Sequence, residues 1–280
     1  VSEEENTLLP AAMSDALRRN DSDRFLASLF APVEARQHMH ALYALDWELK
    51  RIPALVSEEM LGAIRFQWWR DTVGSIYQGE RPGHELVPAL AAAIEAGALP
   101  AEAFHSWIDA REDEMSELPF ADIKAMEDHA RRVEGTIMRL CLKALGAAAD
   151  ESAVPVEHLA PAYGLIDLLK RCGPAAGRRT AFLPADQLAG TDQGLFMGRL
   201  SDEARAAMHA VVTRALSLLD GVPSRKVSRD LLPAAVHAGL VPAYARLFMQ
   251  KGYDPLRMSP EVPAYRRQIS LMARAMRGRV

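Results

Sequence analysis

Asp109 and Asp113 stand four residues apart in WIDAREDEM. On a helix that spacing puts both carboxylates on one face, where they could share a hard cation such as Mg²⁺. The same spacing with Arg111 nearby also describes a solvated acidic face. Asp46 and Glu48 are two residues apart and do not face one another, which makes them a poor clamp. Cations collect at two places instead. Lys50 and Arg51 are adjacent, and in LLKRCGPAAGRRTAFLP a Gly-Pro break separates Lys170 and Arg171 from Arg178 and Arg179. Guanidinium and ammonium groups can hold phosphate oxygens directly. They can equally pair with Asp46, Glu48 and Asp167, the last lying four residues before Arg171. The eight histidines are scattered without an HExxH pattern, and no nucleophile elbow, phosphate loop or dinucleotide fingerprint is present.

These residues need rigid elements to position them, and the hydrophobic period throughout is that of helices. Ser57 with Glu58 and Glu59 opens a helix that Gly79 closes, and Pro100 with Glu102 opens the one carrying Asp109. Asp122 precedes a run to Gly146, and Ser201 with Glu203 opens another to Gly221. Residues 24–52 read as one or two helices broken near Pro32, and residues 231–252 as a helix kinked or divided by Pro242. A last helix ends the chain. Residues 82–83 and 190–192 read as loops. Trp68 and Trp69 cannot share one helical face, so one is expected in the core and the other at its side or against a partner.

The bulk numbers narrow the function classes. A net charge of -4 with 25% charged residues gives no basic footprint for nucleic acid. Cys141 and Cys172 lie on apolar stretches without a metal-ligand partner, as expected of buried free thiols in a reducing compartment. The N-terminal residues lack the pattern of a secretory signal, and no apolar run is long enough to span a membrane. A cytoplasmic protein, with peripheral attachment at the inner membrane as the alternative, is the corresponding expectation. The division expected is a flexible N-terminal segment, residues 1–21, and one helical domain, residues 22–280.

The blocks DRFLASLFAP (23–32), ALYAL (41–45), WIDAREDE (107–114), EGTIMRLCLKALG (134–146) and GLIDLLKRCGPAAGRRTAFLP (164–184) resemble, in the same order and at similar intervals, the squalene and phytoene synthases. That resemblance implies an all-α, single-domain isoprenoid-synthase fold with helices around a central cavity. It implies chemistry in which two prenyl diphosphates are joined head to head, with Mg²⁺ held by aspartates on two facing helices. Counted from Tyr43, the first aspartate-rich motif falls on Lys50, Arg51 and Ala54. Counted back from Phe182, the second falls on Arg171, Pro174 and Ala175. Both positions thus carry cations or apolar residues. The stretch 46–77 and the block ending in RRTAFLP look more like a divergent branch of the family, related to the mitochondrial respiratory complex I assembly factor.

Three functions are expected in consequence. A non-catalytic assembly factor would use surface contacts for a respiratory-complex subunit or a membrane edge, with Trp68, Trp69 and the basic, amphipathic RRQISLMARAMRGRV as candidates. A prenyl diphosphate or phosphorylated-lipid binder would use Lys50, Arg51, Lys170, Arg171, Arg178 and Arg179 without a metal. An active Mg²⁺-dependent prenyltransferase would have to recruit Asp109, Asp113, Asp46 and Glu48. The first two need no cofactor, and the leading expectation is that the protein does not catalyse prenyl transfer.

Overall fold

The computed structural model describes residues 9–56, 58–146, 154–188, 190, 192–222 and 226–280. It is built of helices; among the described residues the β pairing is an isolated bridge between Lys226 and Arg279. In chain order the helices are α1 (Ala11–Asn20), α2 (Ser22–Ser28), α3 (Val33–Leu55), α4 (Glu59–Tyr77), α5 (Val87–Gly97), α6 (Ala101–Glu112) and α7 (Ile123–Ala130). There follow α8 (Thr136–Ala144), α9 (Val156–Lys170), α10 (Cys172–Ala176), α11 (Asp192–Phe196), α12 (Asp202–Asp220), α13 (Val241–Phe248) and α14 (Ala264–Arg277).

Local chemistry explains most boundaries. The carboxylate of Asp122 accepts from the Ala125 amide at 2.7 Å and starts α7, and the Ser201 hydroxyl accepts from Ala204 at 3.1 Å and starts α12. Beyond α4 the chain turns at Gly79 with φ +84°, a conformation that costs glycine little. Ser57, read as the start of α4, lies outside the described residues. The run from Asp122 to Gly146 is continuous but contains a π turn at Arg131–Gly135, which joins α7 to α8. Residues 231–240 do not form the expected helix. They make two 3-10 turns, Leu232–Ala234 and Val236–Leu240, and Pro242 opens α13 in the first turn, where its missing N–H does no harm.

The expectation of a flexible segment over residues 1–21 needs correction in its second half. Residues 11–20 are helical, and Met13 and Leu17 are buried against the core; residues 1–8 lie outside the described residues. One continuous apolar core links α1 to α14. At its middle, α9 packs against α7, α12 and the π turn, while α3 packs against α5 and α8. Close approach of α9 to α7 requires Gly164, where a Cβ would meet that of Ala130 at 2.7 Å. Trp69 is buried and Trp68 is 41% exposed, dividing the two indoles as expected. Cys141 and Cys172 are buried and free, and burial pushes both thiols up to about 12. No described helix is long and apolar enough to cross a membrane.

Candidate functional site: a buried ion-pair centre and a basic cleft

The centre of the helical ring is charged. Asp46, fully buried on α3, accepts at one oxygen from the Trp107 indole at 3.2 Å and from two nitrogens of Arg111 at 2.9 and 2.7 Å. Its other oxygen takes Arg24 at 2.7 Å and the Lys50 ammonium at 3.0 Å. Lys50 lies one helical turn beyond Asp46 and reaches across to Asp167 on α9 at 3.1 Å. Arg171, at the end of that helix, bonds Asp167 at 3.2 Å and clasps Glu114 through both terminal nitrogens at 2.6 and 3.1 Å. Glu114 also takes Arg111 at 2.6 Å and the His129 ring at 2.9 Å.

Two further clusters continue this centre. Arg24 is fully buried, bonds Glu134 on the π turn and Asp21 at the start of α2, and lies 5.5 Å from the Tyr43 ring centre. Glu134 in turn meets His237 at 2.9 Å. Asp23 accepts from Tyr163, Tyr244, Lys170 and Arg267 at 3.1, 2.6, 2.9 and 2.9 Å. Such groups are costly to desolvate, and near-complete pairing is what makes their burial tolerable. Burial opposes ionisation of Asp46, but Arg111, Lys50 and Arg24 outweigh it and hold the carboxyl well below its usual range. Asp167 is depressed in the same way, with Lys50 and Arg171 overcoming burial. Asp21 goes the other way, raised by burial despite Arg24.

Above this centre opens a cleft of about 470 Å³. Its walls carry Lys50, Arg51, Lys170, Arg171 and Arg178, with Arg19 and Arg267, against the acids Asp21, Asp167 and Glu261. Five of the six expected anion-site cations therefore converge. Arg179 does not line the cleft. It adopts φ +60° just after α10, donates to Glu117 at 3.0 Å and stacks over Phe196 at 5.2 Å. Arg51 is engaged by Glu48 at 3.0 Å. Arg19 and Arg178 make no ion pair with a described residue, and burial together with Arg171 lowers the Arg178 pKa.

The acids considered for metal binding separate. Asp109 pairs with Arg70 at 2.6 Å and Asp113 with Arg132 at 2.7 Å, both on the wall of an open groove that shares His129, but no carboxylate, with the buried centre. Asp46 and Glu48 serve different cations, as their spacing implied. Among the described residues no three His, Cys, Asp or Glu side chains converge as a metal site. Sequence reasoning missed Asp23, Arg24, Arg111, Glu114, Glu134 and His237. The available signal was charge at apolar-face positions, as with Asp46 among Leu42, Leu45 and Leu49, which all pack in the core.

Residues 17–272 match the family model described as squalene/phytoene synthase. The chain is 27% identical over 245 residues to the bovine protein named NADH dehydrogenase (ubiquinone) complex I, assembly factor 6, covering 86% of this chain and 74% of that one. To the human protein of the same name it is 29% identical over 191 residues, or 68% of this chain and 57% of the other. A phytoene synthase of Thermus thermophilus is 27% identical over 269 residues, covering 93% and 90% of the two chains. In structure the fold is similar to that of a dehydrosqualene synthase solved with a ligand, with a TM-score of 0.75, 16% identity, and coverage of 98% and 96%. A squalene synthase from Alicyclobacillus acidocaldarius gives a TM-score of 0.57 at 19% identity, covering 99% and 98%. Match, order of blocks and fold agree that this chain belongs to the squalene/phytoene synthase family.

Proposed function

We infer that this member of the family is a non-catalytic assembly factor of the respiratory complex I type. The observation that carries the reading is the Lys50 ammonium, held between Asp46 and Asp167 at 3.0 and 3.1 Å. By the family spacing this is where the first aspartate of a metal-binding motif is expected, and Arg171 stands at the first position of the second. The donor set does not fit Mg²⁺. Asp46, Asp167, Glu114 and Asp23 each already accept from two or more cationic or phenolic donors, and a divalent ion beside Lys50 and Arg171 would meet repulsion instead of ligands. Relatives named as assembly factors of complex I at 25–29% identity support the same direction.

The test is genetic and biochemical together. Deletion of the gene from its host should lower assembled complex I and the NADH oxidation of isolated membranes, and a Lys50→Arg copy should restore both. Unchanged complex I with a fall in squalene- or phytoene-derived lipids would refute the reading.

A second reading is favoured by Arg19 and Arg178, two cleft cations without an ion pair among the described residues. The cleft binds the phosphate of a prenyl diphosphate or other phosphorylated lipid directly, with Arg51 as a third contact and no metal. Titration of the protein with inorganic diphosphate in chelator should show binding that Arg178→Gln weakens about tenfold, the loss of one charge-assisted hydrogen bond. Binding that appears only when Mg²⁺ is added would refute it.

A further inference from the structure

Helix α14 is the most strongly two-sided of the described helices, and its outer face has no partner among the described residues. Arg267 and Leu271 turn inward; Arg267 ties the helix to the core through Ser22 and Asp23. On the opposite side Tyr265, Ile269, Met272 and Met276 follow one another at intervals of four, three and four residues, and each is more than half exposed. That spacing makes a single apolar stripe about 16 Å long. Phe30, at the end of α2, extends it, since Phe30, Met272, Ala275 and Met276 wall an open cleft of about 360 Å³ with Leu232 and Arg229.

The charge on the helix that carries this stripe has one sign. Helix α14 contains no acidic residue, and Arg266 and Arg277 are exposed beside the apolar row. Arg229 lies on the wall of the cleft at the other flank. The end of the helix is fixed, not frayed: Gly278 closes it with φ +60° and accepts from the Val227 amide at 3.0 Å. A rigid apolar row flanked by arginines matches the headgroup and acyl boundary of an anionic bilayer. A second copy of the same face is disfavoured, because a two-fold contact would bring the arginines at the two ends of the stripe together. We propose that α14 and Phe30 form a peripheral docking face for anionic lipid, with the Met272–Met276 cleft receiving acyl chain.

Flotation of the whole protein with vesicles of phosphatidylcholine, or of equal parts phosphatidylcholine and phosphatidylglycerol, tests this. Binding should be strong only with the anionic vesicles and should fall steeply as salt is raised. The pair Arg266→Gln with Arg277→Gln should weaken it about 25-fold, about fivefold per arginine. The pair Met272→Gln with Met276→Gln should weaken it about tenfold, and because both side chains face solvent the melting temperature should stay put. Equal binding to neutral vesicles, no binding to either, or variants that bind like the parent would overturn the proposal. So would a dimer in light scattering that the methionine substitutions dissolve, which would assign the face to a second copy.

Discussion

Replacing Lys50 by Met removes one cation from the middle of the buried centre and leaves a side chain of similar length. Lys50 is 9% exposed and its partners Asp46 and Asp167 are 0% and 15% exposed, so the pair lies where truncating one partner costs about 3–5 kcal/mol. The structure argues for less than the full amount. Asp46 keeps Arg24 and Arg111, and Asp167 keeps Arg171, so neither carboxylate is orphaned. A loss of about 2–3 kcal/mol follows, or about 5–10 °C in melting temperature for a chain of this size. Arg51→Met is the control, because its pair with Glu48 is 41% and 15% exposed and belongs with surface pairs of about 0–1 kcal/mol. Urea unfolding followed by circular dichroism compares the two. Equal losses, or a Lys50→Met protein as stable as the parent, would refute the claim that the ammonium holds the centre together.

Other consequences concern acid, packing and the carboxylates. His40 stacks on Phe25 and bonds Ser28, and burial with help from Arg36 lowers its pKa to about 4. Its stabilising effect is therefore present above the ordinary histidine value near 6.5 and is lost as pH falls towards 4. Unfolding free energy measured across that range should drop in the parent and drop less in His40→Gln, which keeps the lowered His38 and His129. Asp46, Asp167, Asp23 and Glu114 are depressed in the folded state, so a second and steeper loss begins below about pH 4 as they protonate, with Asp21 opposing it weakly. Stability that rises between pH 6.5 and 4 would contradict the histidine assignment. Gly164→Ala should cost about 1–3 kcal/mol by forcing α9 from α7, and a neutral thermal shift would show that the contact yields.

The helices were legible because their signals are local: the caps at Asp122 and Ser201 and the stop at Gly79 act within a turn. The same locality made three pairs readable in advance, Asp46 with Lys50, Glu48 with Arg51 and Asp167 with Arg171, each three or four residues apart. The bridge from Lys50 to Asp167 was not readable, since it depends on how α3 and α9 face each other. Nor was the separation of Arg179, which follows from a left-handed backbone position that no spacing rule anticipates. Asp109 and Asp113 illustrate the opposite error. Their spacing suits a shared ligand on a continuous helix, but α6 ends at Glu112, Asp113 begins a 3-10 turn, and the two carboxylates pair separately with Arg70 and Arg132.

The most direct measurement is calorimetric titration of the purified protein with farnesyl diphosphate, with Mg²⁺ and with chelator, followed by analysis of the same samples for released diphosphate and coupled hydrocarbon. With Lys50 and Arg171 fixed on the carboxylates, Mg²⁺ should leave any heat of binding unchanged, and neither product should form. Binding that requires Mg²⁺ and yields both products would contradict the account and show that the ion-pair centre opens to admit metal.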